Sequence, residues 1–291
     1  MFEDIRKNKI KTGVIVSIFL LMITLIVYYI CMAFELGSMS IVFALIVSII
    51  STFASYYNCD KIVLAVNKAR PATTDEFNKL NNILDALIIS SGMKYRPKLY
   101  IVDDNQPNAF ATGRDPEHSV ICVTSSLLEK LDYYELEGVL AHELSHIANY
   151  DIRLSAVVTV MVGLIVMLSD MFTRTFFYKD RDSDNNKGNS ILMLIGLICL
   201  IIAPIFSKLL QLAVSRRREY LADATAVQFT RNPDGLISAL IKISSDPNEL
   251  ETANKATENM YICNPFRDNK TSLFSTHPAI EDRIEALRNI K

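Results

Sequence analysis

Residues 13–34, from Gly13 to Phe34, carry no charged side chain. A helix of that length, rising about 1.5 Å per residue, crosses a hydrocarbon core of about 30 Å. Residues 39–57, from Met39 to Tyr57, are likewise uncharged, and only Glu35, Leu36, Gly37 and Ser38 separate the two runs. Lipid offers no water to backbone N–H and C=O groups, so such runs have few options besides helices. The pair reads as a tight transmembrane hairpin. A cleaved signal peptide competes for the first run. That run is longer than a typical apolar signal core, however, and Glu35-Leu36-Gly37 lacks a small-x-small cleavage pattern.

Two further apolar runs follow, Leu154–Ser169 (extendable to Phe172) and Ser190–Ser207 (extendable to Val214). Both are marginal spans by length. A second hairpin over about 154–172 and 190–210 is expected, with buried core helices as the alternative. Arg6, Lys7, Lys9 and Lys11 precede the first span, and Lys61, Lys68 and Arg70 follow the second. Basic residues mark the cytoplasmic side, so the N-terminus and the chain from residue 58 are expected there. Arg174, Lys179, Arg181 and Lys187 in the loop 173–189 are in tension with this arrangement, which places that loop outside.

Charge excludes one class of partner. Against 30 basic residues stand 32 acidic ones, a formal net charge of −2. A nucleic-acid protein would show a basic excess or stripe. The five cysteines form no C-x-x-C pair, so reduced thiols are expected rather than a disulfide scaffold.

Between the hairpins, Thr73-x-x-Glu76 is a capping box, and Phe77, Leu80, Leu84, Leu87 and Ile88 repeat at helical spacing until Gly92. Lys98–Val102 and Ser119–Thr124 read as short strands. Asp132-x-x-Glu135 opens a helix through about Tyr150. Helices are also expected over Ala213–Thr230, Pro233–Ile243 and from Pro278 onward, whereas 246–275 is polar and irregular. The expected organisation is an N-terminal hairpin (1–57), a first soluble part (58–153), a second hairpin (154–212) and a second soluble part (213–291).

The helix from Tyr133 contains His142-Glu143-Leu144-Ser145-His146. Histidines at i and i+4 share one helical face, so both imidazoles can reach one zinc ion. The glutamate beside the first can take a proton from water at that metal. A shuffled chain of this composition would hold the pattern about 0.003 times, so the motif is specific. A catalytic zinc needs a third protein ligand. His118, His277 and downstream acids are candidates. Ser215 to Ala224 is the best source, because Glu219 and Asp223 lie at i and i+4; one can bind metal while the other hydrogen-bonds a ligating histidine. On spacing alone His277 still competes with Glu219.

The apolar hairpin, His142-Glu143-x-x-His146, the second apolar hairpin and Ser215-Arg216-x-Arg218-Glu219-Tyr220-x-Ala222-Asp223 together resemble the HtpX family of bacterial membrane zinc metalloproteases. Asn108 to Gly113 and Thr276-His277-Pro278 followed by Arg283 extend the likeness over nearly the whole chain. The resemblance implies that Glu219 is the third zinc ligand and that His277 lies near the zinc and stabilises the transition state. It implies that Asn108, Ala109 and Phe110 belong to an edge strand that aligns the substrate. Further implications are one zinc per subunit, a place in the bacterial cytoplasmic membrane and quality control of misfolded or damaged membrane proteins under stress. Because His146 and Glu219 would share one ion, the apolar material between them crosses the bilayer an even number of times or not at all.

The resulting expectation is a mainly α multi-pass membrane protein with a small β-sheet, carrying a cytoplasmic zincin-like metalloprotease domain. Its partners would be protein substrates, membrane proteins above all, and the lipid bilayer. Two rivals remain: a prenyl-protein endoprotease, and a membrane adaptor whose metal site is structural. A structural zinc would be closed by four protein ligands.

Overall fold

The computed structural model describes residues 2–33, 37–161, 163–164, 216–253, 256–266 and 278–290. The second apolar hairpin beyond residue 164 and the expectation for His277 lie outside them.

Helices α1 (Phe2–Ala33) and α2 (Ser40–Tyr57) form the N-terminal hairpin, with Gly37 at φ 67° in the connection. The windows Asn8–Tyr29 and Ser40–Tyr57 are long and apolar enough to cross a membrane, with mean hydropathies of 2.5 and 1.8. Ser40, Ala44, Ser48 and Thr52 recur every four residues on α2 and are buried. Such a small-residue stripe lets two helices approach closely without a hydrophobic driving force between them. Thr24 and Ser48 hydroxyls meet across it at 2.7 Å. Ile41, Phe43, Ile46, Ile50 and Phe53 face outward and are exposed, the pattern of a helix solvated by lipid.

Helix α3 (Cys59–Val66) leads into the catalytic module. Helix α4 (Thr74–Ser91) starts at the expected capping box, where Thr73 N–H donates to Glu76 Oε2 at 2.8 Å, and ends at Gly92 in the left-handed region. Strands β1 (Arg70–Pro71), β2 (Lys98–Val102), β3 (Ala109–Gly113) and β4 (Ser119–Thr124) form one mixed sheet in the order β1-β2-β4-β3. β2 and β4 run parallel with Lys98 opposite Val120, while β3 runs antiparallel to β4 with Ala109 opposite Val123.

Strand alternation divides the core in two. Ala109, Ala111, Ile121 and Val123 pack on the side of α4 and α6 (Tyr133–Ala148). Phe110, Val120 and Cys122 pack on the other side, with Cys59 and Val63 of α3 and Ala156 and Val160 of the helical run 151–161, here α7. Short α5 (Ser125–Lys130) joins the sheet to α6. Helices α8 (Arg216–Thr230), α9 (Pro233–Ser245) and α10 (Ile280–Arg288) complete the module around α6.

Candidate active site

Helix α6 is held at its start. Glu135 N–H donates to Asp132 Oδ1 at 3.0 Å, and Asp132 N–H donates to Glu135 Oε2 at 2.9 Å. The same Glu135 receives Lys242 Nζ of α9 at 2.7 Å, tying the two helices together. Gly138 lets them touch, because a Cβ there would stand 2.8 Å from the backbone of Leu236. This clamp fixes α6 on α9.

On that face His142 Nε2 and His146 Nε2 lie 3.2 Å apart. Glu219 of α8 presents Oε2 3.6 Å from the first and Oε1 3.8 Å from the second. Behind the histidines stand two more carboxylates. Asp223 Oδ1 is 2.9 Å from His142 Nδ1, and Asp151 Oδ2 is 3.1 Å from His146 Nδ1. Each Nδ1 therefore carries a proton to donate, which leaves each Nε2 a bare lone pair when the ring is neutral. Two lone pairs and a carboxylate aimed at one point repel each other unless a cation or a proton lies between them. A tetrahedral ion with bonds of about 2.0–2.1 Å sets its ligands about 3.4 Å apart, close to the spacings found here. Among the described residues, His142, His146 and Glu219 are the group whose ligand atoms converge in this way, all within 4.8 Å of one another. The residues fit a metal ion.

Electrostatics agree. Burial alone would lower the His142 pKa, but hydrogen bonds to Asp223 and Glu219 outweigh it and raise the value to about 9. Without metal the ring is protonated at neutral pH, so an ion takes the place of a proton. Burial opposes the charge on Asp223, yet Arg283 prevails and holds this carboxyl below its usual range. Arg283 is fully buried. It donates Nε and Nη2 to the two oxygens of Asp223 at 2.8 and 2.7 Å, and Nη1 to Ile262 O at 2.8 Å. Its Nη2 also lies 3.5 Å from His142 Nδ1, but both are N–H groups that point to Asp223, so no bond joins them.

Glu143 is buried beside this group, and neither carboxylate oxygen has a hydrogen-bond partner. Burial lifts its pKa, reinforced by the charge of Glu219 and opposed by the two histidines. An unsatisfied buried carboxylate is costly and marks a place where function overrides stability. It borders a small pocket whose walls include Ala111, His142, His146, Glu219 and Tyr261.

Of the three residues expected to meet substrate, Ala109 and Phe110 open β3 at the sheet edge and Asn108 immediately precedes it; the Asn108 and Phe110 side chains are committed elsewhere. Asn108 donates Nδ2 to Cys263 O at 3.0 Å, and Phe110 packs edge-to-face on Tyr261 at 5.0 Å between centroids. Ala109 O accepts from Ile262 N–H at 2.9 Å. The segment 261–263, which showed no pattern in the sequence, therefore covers part of that edge. Asp151 and Arg283 also take places at the site that spacing did not reveal. Asp151 follows a helix end, outside the periodicity of α6, and Arg283 lies 60 residues beyond its partner Asp223.

Fold and site together define a metallopeptidase carrying two helices suited to a bilayer. The family described as Peptidase family M48 matches residues 74–291. A protease HtpX homolog of Dictyoglomus thermophilum is 46% identical over 287 residues, covering 99% of this chain and 94% of its own. Its counterpart from Caldanaerobacter subterraneus is 42% identical over 295 residues, covering 100% and 98%, and that from Ligilactobacillus salivarius 39% over 298, covering 100% of each. The crystal structure of Ste24p from S. mikatae aligns with 99% of this chain and 67% of that one, with a TM-score of 0.51 and 18% identity, a likeness of fold. The chain belongs to peptidase family M48 and, within it, is an HtpX-like membrane-anchored metalloprotease.

Proposed function

We propose that the protein is a zinc endopeptidase of the bacterial cytoplasmic membrane, with its site on the cytoplasmic face, cutting misfolded or damaged membrane proteins. The observation that carries this reading is the meeting of three convergent ligand groups with one buried, unpartnered carboxylate in a single cavity. His142, His146 and Glu219 would hold the ion, and Asp223 would orient His142. Zinc bound there supplies Lewis acidity to a peptide carbonyl and acidifies water. Glu143 accepts the proton of the attacking water and delivers it to the departing amine, so it ends the cycle as it began. The family resemblance assigns the developing oxyanion to His277.

The family resemblance assigns Asn108, Ala109 and Phe110 to substrate alignment; because Ile262 N–H already occupies Ala109 O, an extended peptide would pair with the strand backbone beyond that covered part, which reads no side chains and admits many sequences. Two hairpins, 1–57 and 154–212, would keep the catalytic parts 58–153 and 213–291 on one side of the bilayer. Loops of membrane proteins would reach a site so placed. A structural metal would require a fourth protein ligand, and the described cluster has three.

The test is cleavage of casein by detergent-solubilised, metal-stripped protein on adding zinc, with Glu143→Gln alongside. Zinc-dependent cleavage that falls at least about 1,000-fold in the variant, with zinc binding retained, is expected. Full cleavage by Glu143→Gln would sink the assignment of the base. Cleavage indifferent to zinc would sink the metal.

A further inference from the structure

His142 and His146 differ in what stands behind their carboxylates. Asp223 answers to Arg283, within the catalytic module. Asp151 answers to the membrane anchor as well as to Arg218 of α8. Helix α6 stops at Ala148, and Tyr150 takes φ 60°, a left-handed conformation that residues with a Cβ rarely adopt. That bend sends the chain back into α7 and brings buried Asp151 against His146. Cations of Lys9 and Arg153 lie over the Tyr150 ring, 4.4 and 5.2 Å from its centroid. The remaining oxygen, Asp151 Oδ1, accepts from Asn8 Nδ2 at 2.6 Å, and the same amide reaches Asn149 O at 3.4 Å. Asn8 is the first residue of the apolar span Asn8–Tyr29.

We propose that Asn8 is a positioning residue for the metal centre: acting through Asp151, the first membrane helix fixes the His146 imidazole. The seat of the anchor on the catalytic module then sets how tightly the module holds its ion. This rests on the reading of His142, His146 and Glu219 as ligands. The physical reason is economy of partners. A buried carboxylate that loses one donor seeks another, and Arg218 Nε stands 3.8 Å from Asp151 Oδ2. An Asp151 drawn toward Arg218 no longer holds the Nδ1–H of His146, and ligand orientation supported this way is commonly worth 10–100-fold in metal affinity.

Zinc affinity of the full-length, metal-stripped protein in detergent, measured by competition with a chromophoric chelator, decides the matter. Asn8→Ala and Asn8→Asp are each expected to bind about tenfold more weakly than wild type. Lys9→Ala removes a neighbouring contact of the same helix, over Tyr150, while leaving the Asn8–Asp151 bond in place, and is expected to stay within about twofold. Because Asn8 acts through Asp151, the double variant Asn8→Ala/Asp151→Ala should bind no more weakly than Asp151→Ala alone. Metal-free Asn8→Ala should keep the circular dichroism and the single cooperative unfolding transition of the wild type, which separates positioning from a folding defect. Wild-type affinity in Asn8→Ala, losses that simply add, or an equal loss in Lys9→Ala would each overturn the proposal. A wild type that binds no zinc would instead overturn the metal-site reading beneath it.

Discussion

Arg283 and Arg70 grip carboxylates with nearly the same geometry. Arg283 sends Nε and Nη2 to Asp223 at 2.8 and 2.7 Å. Arg70 sends the same two nitrogens to Asp103 at 2.7 and 2.6 Å, then two more bonds to Glu76 at 2.8 and 2.8 Å. Bond count and length would rank Arg70 first. Depth reverses the order. The side chains of Arg283 and Asp223 are 0% and 2% exposed, while those of Arg70 and Asp103 are 36% and 63% exposed. Water and salt compete for the surface network, where ion pairs are typically worth about 0–1 kcal/mol. Neither competes at the buried pair. Losing one partner there strands a charge in a medium that cannot solvate it, at about 3–5 kcal/mol. Equal geometry therefore serves two ends: a surface clasp at the start of α4, and a fixed carboxylate behind a metal-ligand histidine.

The sharpest way to break this contrast is Arg283→Met. A loss of about 3–5 kcal/mol is expected in thermal unfolding of the metal-free protein, because buried Asp223 keeps its charge with only His142 left to answer it. A loss below about 1 kcal/mol would make the two networks equivalent. Next comes Asp223→Asn, which keeps size but removes the charge behind His142. Zinc affinity should fall about 10–100-fold, while Asp103→Asn leaves it unchanged.

The smallest effect belongs to Glu76→Gln, about 1 kcal/mol at neutral pH once exposure is allowed for. The hydrogen bond from Arg70, with help from Thr73, holds the Glu76 carboxyl down to about 2 against an ordinary 4.5, although burial pushes the other way. A carboxylate depressed on folding contributes fully above its unfolded value and loses that contribution as pH falls through the folded one. The melting-temperature gap between wild type and Glu76→Gln should therefore be full above pH 4.5 and close toward pH 2. Raising salt to 1 M should narrow it too, because the screening length shrinks to about 3 Å. The Arg283→Met gap should hardly respond to salt.

Legibility in the sequence followed the range of each interaction. The capping boxes at Thr73 and Asp132 join residues three apart, and both helices begin where those boxes place them. Strands β2 and β4 match their expected bounds because their β-branched residues lie between clear breaks. The pair Glu219 and Asp223 was also readable as one helical face. Their division of labour, with Glu219 on both Nε2 atoms and Asp223 on Nδ1 of His142, needed the packing of α8 against α6. Tyr261 to Cys263 escaped notice, since an irregular segment that pairs with a distant strand leaves no periodic trace.

The sequence by itself determined the class of chemistry. His142, Glu143 and His146 share a face because the helix repeats every 3.6 residues, and the hairpin forms because 13–34 and 39–57 carry no charge to tolerate water. Only the tertiary structure decided which histidine each carboxylate holds and what fixes that carboxylate. Asp223 meets Arg283 across 60 residues, and Asn8 meets Asp151 across 143. A bond between residues so far apart is set by how helices stack, and stacking is a property of many side chains at once rather than of any local pattern.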